Sequence, residues 1–293
     1  MNERFAAEPT ACDSQSELKQ LLEKFGPMTG RYLATYPSSG WEALLQKHIE
    51  PWPAMQKKMA NTWLRRAKEA RALVRSKGAY SEPASWLENI IQTQACASRF
   101  DGVVVSRTNA GAFPSIDELE LPPTSEERVA ATWKEYVRVS GTLLRASTEL
   151  HFIDPYLDPC NADRQVVLRE MLRMASAGRC QTAYVWANDN ELKRSQSETI
   201  AALRKIAIEA GFVSPRHSLH LRAFTDAGRD AKVHDRYLLS LYGAIRFEHG
   251  FQQLTGKRTA KVAPESAASH LLLVKTFLEG EHDLGVEYFL VDT

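Results

Sequence analysis

The sequence predicts an α/β fold: a mixed sheet flanked by helices over residues 149–293, preceded by a mainly helical domain over residues 1–148. Three observations carry this. From residue 149 onward, short apolar runs alternate with segments of helical period, the pattern of strands and helices packed around one sheet. Before that point, helical patterns dominate. The length, 293 residues, exceeds what one average domain needs.

Residues 1 to 15 show no period and read as frayed. A helix follows with Leu18, Leu21, Leu22 and Phe25 on one face, and Gly26-Pro27 ends it. Ser38-Ser39-Gly40 punctuates the chain before WEALLQKHI, and Pro51-Trp52-Pro53 forces a turn. A long helix is expected from Met55 to Lys77, stopped by Gly78. On its helical wheel Met59, Trp63, Ala67, Ala70, Leu73 and Val74 lie opposite Lys57, Arg65, Lys68, Arg71 and Arg75. Its eight basic residues against one acidic, Glu69, make a solvated face or a contact surface for a phosphate backbone. Residues 84–98 read as a further helix, Phe100 to Val105 as a short strand, and Thr108 to Pro123 as a loop. Thr124 and Glu127 have the spacing of a capping box before a helix carrying Val129, Trp133, Tyr136, Val137 and Leu144. In the second half, strands are expected at Leu150–Ile153, Thr182–Ala187, Leu219–Phe224, Tyr237–Leu241, Ala244–Phe247 and Val286–Val291. Helices are expected at 163–176, Ser195–Ala210 and Ala267–Leu278.

Composition narrows the function classes. Hydrophobic residues at 44% and charged residues at 25% are globular values, and the length allows a sizeable core. A net charge of +1 gives no global pull towards polyanions or membranes, so a nucleic acid would have to be met by a local patch. Cys12, Cys96, Cys160 and Cys180 form no C-x-x-C pair, which argues against a zinc or redox motif and suits reduced thiols in the cytoplasm. The first residues lack a signal-peptide core, and no run approaches the roughly 18 apolar residues of a membrane span. No metal and no cofactor are expected.

The stretch that carries chemistry is Lys232-Val233-His234-Asp235-Arg236-Tyr237. A histidine and a cation two apart on a strand share one face. The imidazole can attack phosphorus or accept a proton while the cation holds the non-bridging oxygens. A lone strand histidine is more often structural, and Arg236 could be a rim ion-pair residue. Asp154 could simply cap the turn before Pro155.

This stretch resembles the phospholipase D superfamily, whose motif begins His-x-Lys and continues through an Asp, a Gly-Ser pair and an Asn. His234 stands at the nucleophile and Arg236 at the phosphate-binding Lys. Leu241 stands where the family has Asp, His249-Gly250 at the Gly-Ser pair with the glycine displaced by one, and Gln252 at the Asn. Glu265 lies about where many members place a downstream Glu, and Ile153-Asp154-Pro155-Tyr156 looks like the end of the family's first strand. The resemblance covers residues 149–293. It implies a phospholipase D-like α/β domain, catalytic roles for His234, Arg236, Gln252 and Glu265, and phosphate contacts from Arg236, Asp154 and His249. The replacement of Asp by Leu241 leaves the imidazole without an orienting partner. The His-Asp-Arg-Tyr variant also resembles a branch in microtubule-interacting-and-trafficking proteins that binds phospholipid. It resembles as well short prokaryotic domains associated with mobile elements and phage defence, and the latter fits better.

Two function classes follow. The first is a metal-independent phosphodiesterase, a nuclease or nuclease-like component of a prokaryotic phage-defence or mobile-element system. With one His-x-Arg half-site, it would need a homodimer to supply a second histidine. The second is a catalytically degenerate module that binds phosphate, DNA, RNA or a protein partner, the last through the N-terminal helices. The lack of an apolar anchor weighs against a lipid-surface role.

Overall fold

The computed structural model describes residues 3–27, 29–76, 79–97, 100–121, 126–192, 194–225, 233–280 and 284–293. The chain divides into two compact units, residues 1–124 and 125–293.

The first unit holds β1 (Glu3–Ala7), α1 (Gln15–Glu23), β2 (Arg31–Thr35), α2 (Trp41–Ile49), α3 (Ala54–Glu69), β3 (Leu73–Arg75), α4 (Trp86–Ala97) and β4 (Gly102–Val104). Its four strands pair in parallel in the order β3-β2-β1-β4. The unit is therefore α/β, not mainly helical, and residues 1–15 include a strand. A parallel sheet is buried on both faces, so its strands read as short apolar runs without alternation. Phe5-Ala6-Ala7 and Tyr32-Leu33-Ala34 are such runs, all buried.

The long basic helix expected to run to Lys77 stops at Glu69. The amide of Arg71 donates to Lys68 O at 3.1 Å and that of Ala72 to Ala67 O at 2.9 Å, the paired bonds that close a helix C-terminus. Glycine usually takes the left-handed position in this motif. Here Arg71 takes it, with φ 58°, so the sequence carries no stop signal.

The second unit holds β5 (Glu127–Ala130), α5 (Trp133–Ala146), β6 (Glu149–Ile153), α6 (Ala162–Ser176), β7 (Thr182–Asn188), α7 (Gln196–Ala210), β8 (Ser218–Thr225), β9 (Tyr237–Ser240), β10 (Gly243–Phe247), β11 (Thr259–Pro264), α8 (Ala267–Leu273, continued by a π-helical turn at Val274–Leu278) and β12 (Gly285–Val291). Its boundary falls before the expected residue 148, because β5 pairs antiparallel with β11, Val129 opposite Ala260. Thr124, of the expected capping box, lies outside the described residues, and Glu127 sits in β5. The helix cap is Thr132 instead, which accepts from the Glu135 amide at 3.4 Å.

The eight strands run β12-β8-β7-β6-β9-β10-β11-β5. β6, β7 and β8 are parallel and joined by α6 and α7; the remaining neighbours are antiparallel. A mixed α/β unit results. Both crossover helices start on side-chain caps, Asn161 for α6 and Ser195 for α7. Gly211 ends α7 at φ 70°. Val167, Leu168, Met171 and Leu172 of α6 and Leu203, Ile206 and Ala207 of α7 are buried. A separate cluster joins Ile153, Trp186, Phe224 and Leu239 of the sheet to Val274 and Phe277. The two sheet faces are thus covered by different elements, and the strand ends between them remain for a site. No helix among the described residues is long and apolar enough to cross a membrane.

Candidate functional site

The candidate site gathers at the C-terminal end of β6. After Ile153 the chain leaves the sheet, and the Asp154 amide donates to Trp186 O at 3.1 Å. The Asp154 side chain is 1% exposed. Its Oδ1 accepts from the Tyr156 amide at 3.0 Å and its Oδ2 from the Phe251 amide at 3.2 Å. The carboxylate thereby fixes the turn after β6 to the loop after β10. Two guanidinium groups flank it. Arg164 Nη1 lies 3.4 Å from Oδ2, and Arg236 Nε lies 3.9 Å from Oδ1. Burial pushes the Asp154 carboxyl above its ordinary pKa; Arg164, the two amides and Arg236 oppose that shift.

His234 and Arg236 sit just before β9 rather than inside it, and both meet the Tyr156 side chain. The Tyr156 hydroxyl is 2.7 Å from His234 Nδ1, and the two rings lie nearly parallel, 16° apart. The Arg236 guanidinium carbon is 4.8 Å from the Tyr156 ring centre, a cation–π contact. Arg236 Nη1 also donates to Glu248 O at 3.2 Å. His234 is exposed and Arg236 is partly exposed.

Gln252 joins through Arg164, whose Nη2 donates to Gln252 Oε1 at 3.3 Å. The loop is pinned beside it, where the Gln253 amide donates to Asp163 O at 3.0 Å. Gly250 makes the close approach work. Its φ is +64°, and a Cβ there would stand 2.2 Å from Asp154 Oδ2 and 3.1 Å from Arg236 Cγ.

Of the residues singled out from sequence, the structure brings together Asp154, His234, Arg236 and Gln252. It places His249 Nε2 3.8 Å from Glu248 Oε2 and pairs Glu265 with Arg246 at 3.3 Å. Leu241 lies in the turn between β9 and β10, 62% exposed, at the opposite end of β9 from Arg236. The imidazole does have an orienting partner, the Tyr156 hydroxyl, supplied from another strand end.

Sequence reasoning missed Arg164 and gave Tyr156 no role. A signal for Arg164 existed. It falls in the first turn of a helix capped by Asn161, where the helix dipole disfavours a cation, so it calls for a carboxylate partner.

The basic set does not form one helix face. Lys57, Arg65 and Lys68 are on α3, Arg71 is in the turn after it, and Arg75 is on β3. Lys68 pairs with Glu42 at 2.5 Å and Arg65 with Glu69 at 3.8 Å. Among the described residues, no group of three or more His, Cys, Asp or Glu side chains could hold a metal.

No protein-family model matches the chain, and no curated protein matches it. Among solved structures, one of TrmBL2, an archaeal chromatin protein described as showing a novel mode of DNA binding, aligns with 83% of this chain and 69% of that chain. The identity is 14% and the TM-score 0.31. A score of that size does not establish a shared fold.

Proposed function

We propose that residues 125–293 form a phospholipase D-like unit whose site recognises the phosphodiester group of a nucleic acid. The observation that carries this is the convergence of His234 and Arg236 on one tyrosine, beside a second guanidinium and a single buried carboxylate. Two guanidinium groups around one carboxyl leave positive charge in excess, and the exposed imidazole adds a further polar contact. Guanidinium groups suit phosphate oxygens because their donors form a planar fork. The position, beyond the C-terminal end of a parallel strand, is where open α/β sheets usually bind ligands.

A hydrolytic version of the same reading is favoured by one observation. His234 is exposed, so a ring nitrogen is accessible to phosphorus; this version requires Nδ1–H to donate to the Tyr156 hydroxyl so that Nε2 is bare. In that version His234 attacks phosphorus while Arg236 holds the non-bridging oxygens. The P–O bond to the leaving oxygen breaks as the histidine of a second copy protonates that oxygen, and water then cleaves the P–N bond to release the phosphate and free His234.

The test uses purified full chain with single- and double-stranded DNA and RNA oligonucleotides in EDTA, measuring both binding and cleavage. Arg236→Ala is expected to weaken binding strongly and His234→Ala modestly. Cleavage that survives EDTA and vanishes in His234→Ala would establish the hydrolytic version. Binding unaffected by either substitution, with no cleavage, would overturn both.

A further inference from the structure

We infer that Tyr156 is a positioning residue that fixes the tautomer of His234, donating its hydroxyl to Nδ1 so that the ring carries its proton on Nε2. The inference rests on the phosphate reading above and sharpens it. A neutral imidazole has one N–H and one lone pair, and the partner at one nitrogen decides which is which. Tyr156 Oη and His234 Nδ1 are 2.7 Å apart, so one of them donates.

A phenol is a good donor and a poor acceptor, because its oxygen lone pair is delocalised into the ring. The Arg236 guanidinium 4.8 Å from the centre of that ring weakens the oxygen further as an acceptor. Both effects push the shared proton the same way, towards a lone pair on Nδ1. In the superfamily that this chain resembles, the histidine is the nucleophile, and an attacking nitrogen needs the opposite arrangement, with Nδ1 protonated and Nε2 bare.

The consequence concerns what the site can do. With the proton on Nε2, His234 meets a phosphate oxygen as a hydrogen-bond donor, as Arg236 does. The ligand class is then an anion with at least two accessible oxygens, gripped by an imidazole N–H and a guanidinium. The ring nitrogen beyond Tyr156 has no lone pair with which to attack phosphorus, so the resting state is built for retention rather than cleavage.

The experiment is long-range proton–nitrogen NMR on the full chain labelled at histidine, with His234 assigned from His234→Ala. Wild type and Tyr156→Phe are compared, each with and without inorganic phosphate. The expected wild-type pattern is the Nε2–H tautomer. In Tyr156→Phe, which keeps the ring that Arg236 packs on, the Nδ1–H form should become detectable. Phosphate affinity should fall about 3- to 10-fold, the scale of one hydrogen bond. A wild-type Nδ1–H tautomer would overturn the inference and restore the nucleophile. A correct tautomer whose signals do not respond to phosphate would leave the inference standing and sink the phosphate reading.

Discussion

Gly250→Ala tests whether the loop after β10 and the turn after β6 are one device. Two costs arise. An alanine at φ +64° pays the left-handed penalty, about 1–2 kcal/mol. Its Cβ would also stand 2.2 Å from Asp154 Oδ2 and 2.9 Å from Cγ, so the carboxylate must move. Moving it breaks the bond from the Phe251 amide, and a buried polar group left without its partner costs about 1–3 kcal/mol. The total is about 2–5 kcal/mol, which for a unit of this size lowers Tm by about 4–20 °C. Gly256→Ala is the control, since its φ is +77° and nothing lies within 4 Å of its added Cβ. It carries the dihedral cost alone. Thermal unfolding by circular dichroism reads both variants, and phosphate titration reads the site. Gly250→Ala should unfold below Gly256→Ala and should bind phosphate more weakly, because Asp154 no longer holds Arg164 and Arg236 in place. Equal melting temperatures with wild-type affinity would refute the argument, since the collision is the only difference between the two.

Asp154 makes a prediction of definite sign. A carboxyl raised by burial binds its proton more tightly folded than unfolded, so its contribution to stability is complete below the ordinary aspartate value of about 3.9. That contribution is lost as pH rises through the raised value. Wild type should therefore lose stability against Asp154→Asn across that window in denaturant titrations, whereas a gain would mean that Arg164 and Arg236 hold the carboxylate charged. Burial pushes the Cys12 and Cys180 thiols up to about 12, while Cys160 is only partly buried. Alkylation of the folded chain at about pH 8 should label Cys160 before either of them, and mass spectrometry showing Cys180 as fast would contradict its burial. Reversing Lys57, Arg65 and Lys68 to Glu should cost stability only about 0–1 kcal/mol for each of the exposed ion pairs of Arg65 and Lys68, and little at Lys57, whose Nζ donates to the Glu50 carbonyl. Nucleic-acid affinity and its salt slope should both fall if α3 contacts a backbone; a collapse in Tm would show the face to be structural.

How legible the fold was depended on how each element signals itself. In the second unit, β6, β7 and β8 stood out because apolar runs there alternate with capped helices; Ser195 and Gly211 bracket α7 as the sequence pattern requires. In the first unit β1 and β2 are five residues each and rich in small or fully buried side chains, too short for a period to show. The helix expected to reach Lys77 ends at Glu69 for a local reason. Arg71 adopts a conformation normally reserved for glycine, and the apolar residues Leu73 and Val74, which extend the helical stripe on paper, belong to β3. The boundary near residue 148 followed from the change of pattern there, but β5 pairs with a strand about 130 residues later, a contact that no local signal reveals.

For the site, His234 and Arg236 were legible because they lie two apart in one segment. Their partners were not, because each comes from a different strand end or helix start. Asp154 and Tyr156 follow β6, Arg164 opens α6, and Gln252 follows β10. This distribution also bears on Leu241. Judged along the chain, the absence of an acidic residue there looks like a lost function. In space, position 241 is a solvent-exposed hairpin turn at the far end of β9, where a carboxylate could not reach the imidazole without unpairing the strand. Asp154 offsets part of the charge at the site and Tyr156 meets the imidazole, both delivered by the end of β6, which pairs antiparallel with β9. A carboxylate at Nδ1 can only accept, whereas a phenol there can donate. On the proposed reading, such a site holds an anion between Nε2–H and Arg236, with the histidine kept in place and its chemistry reversed.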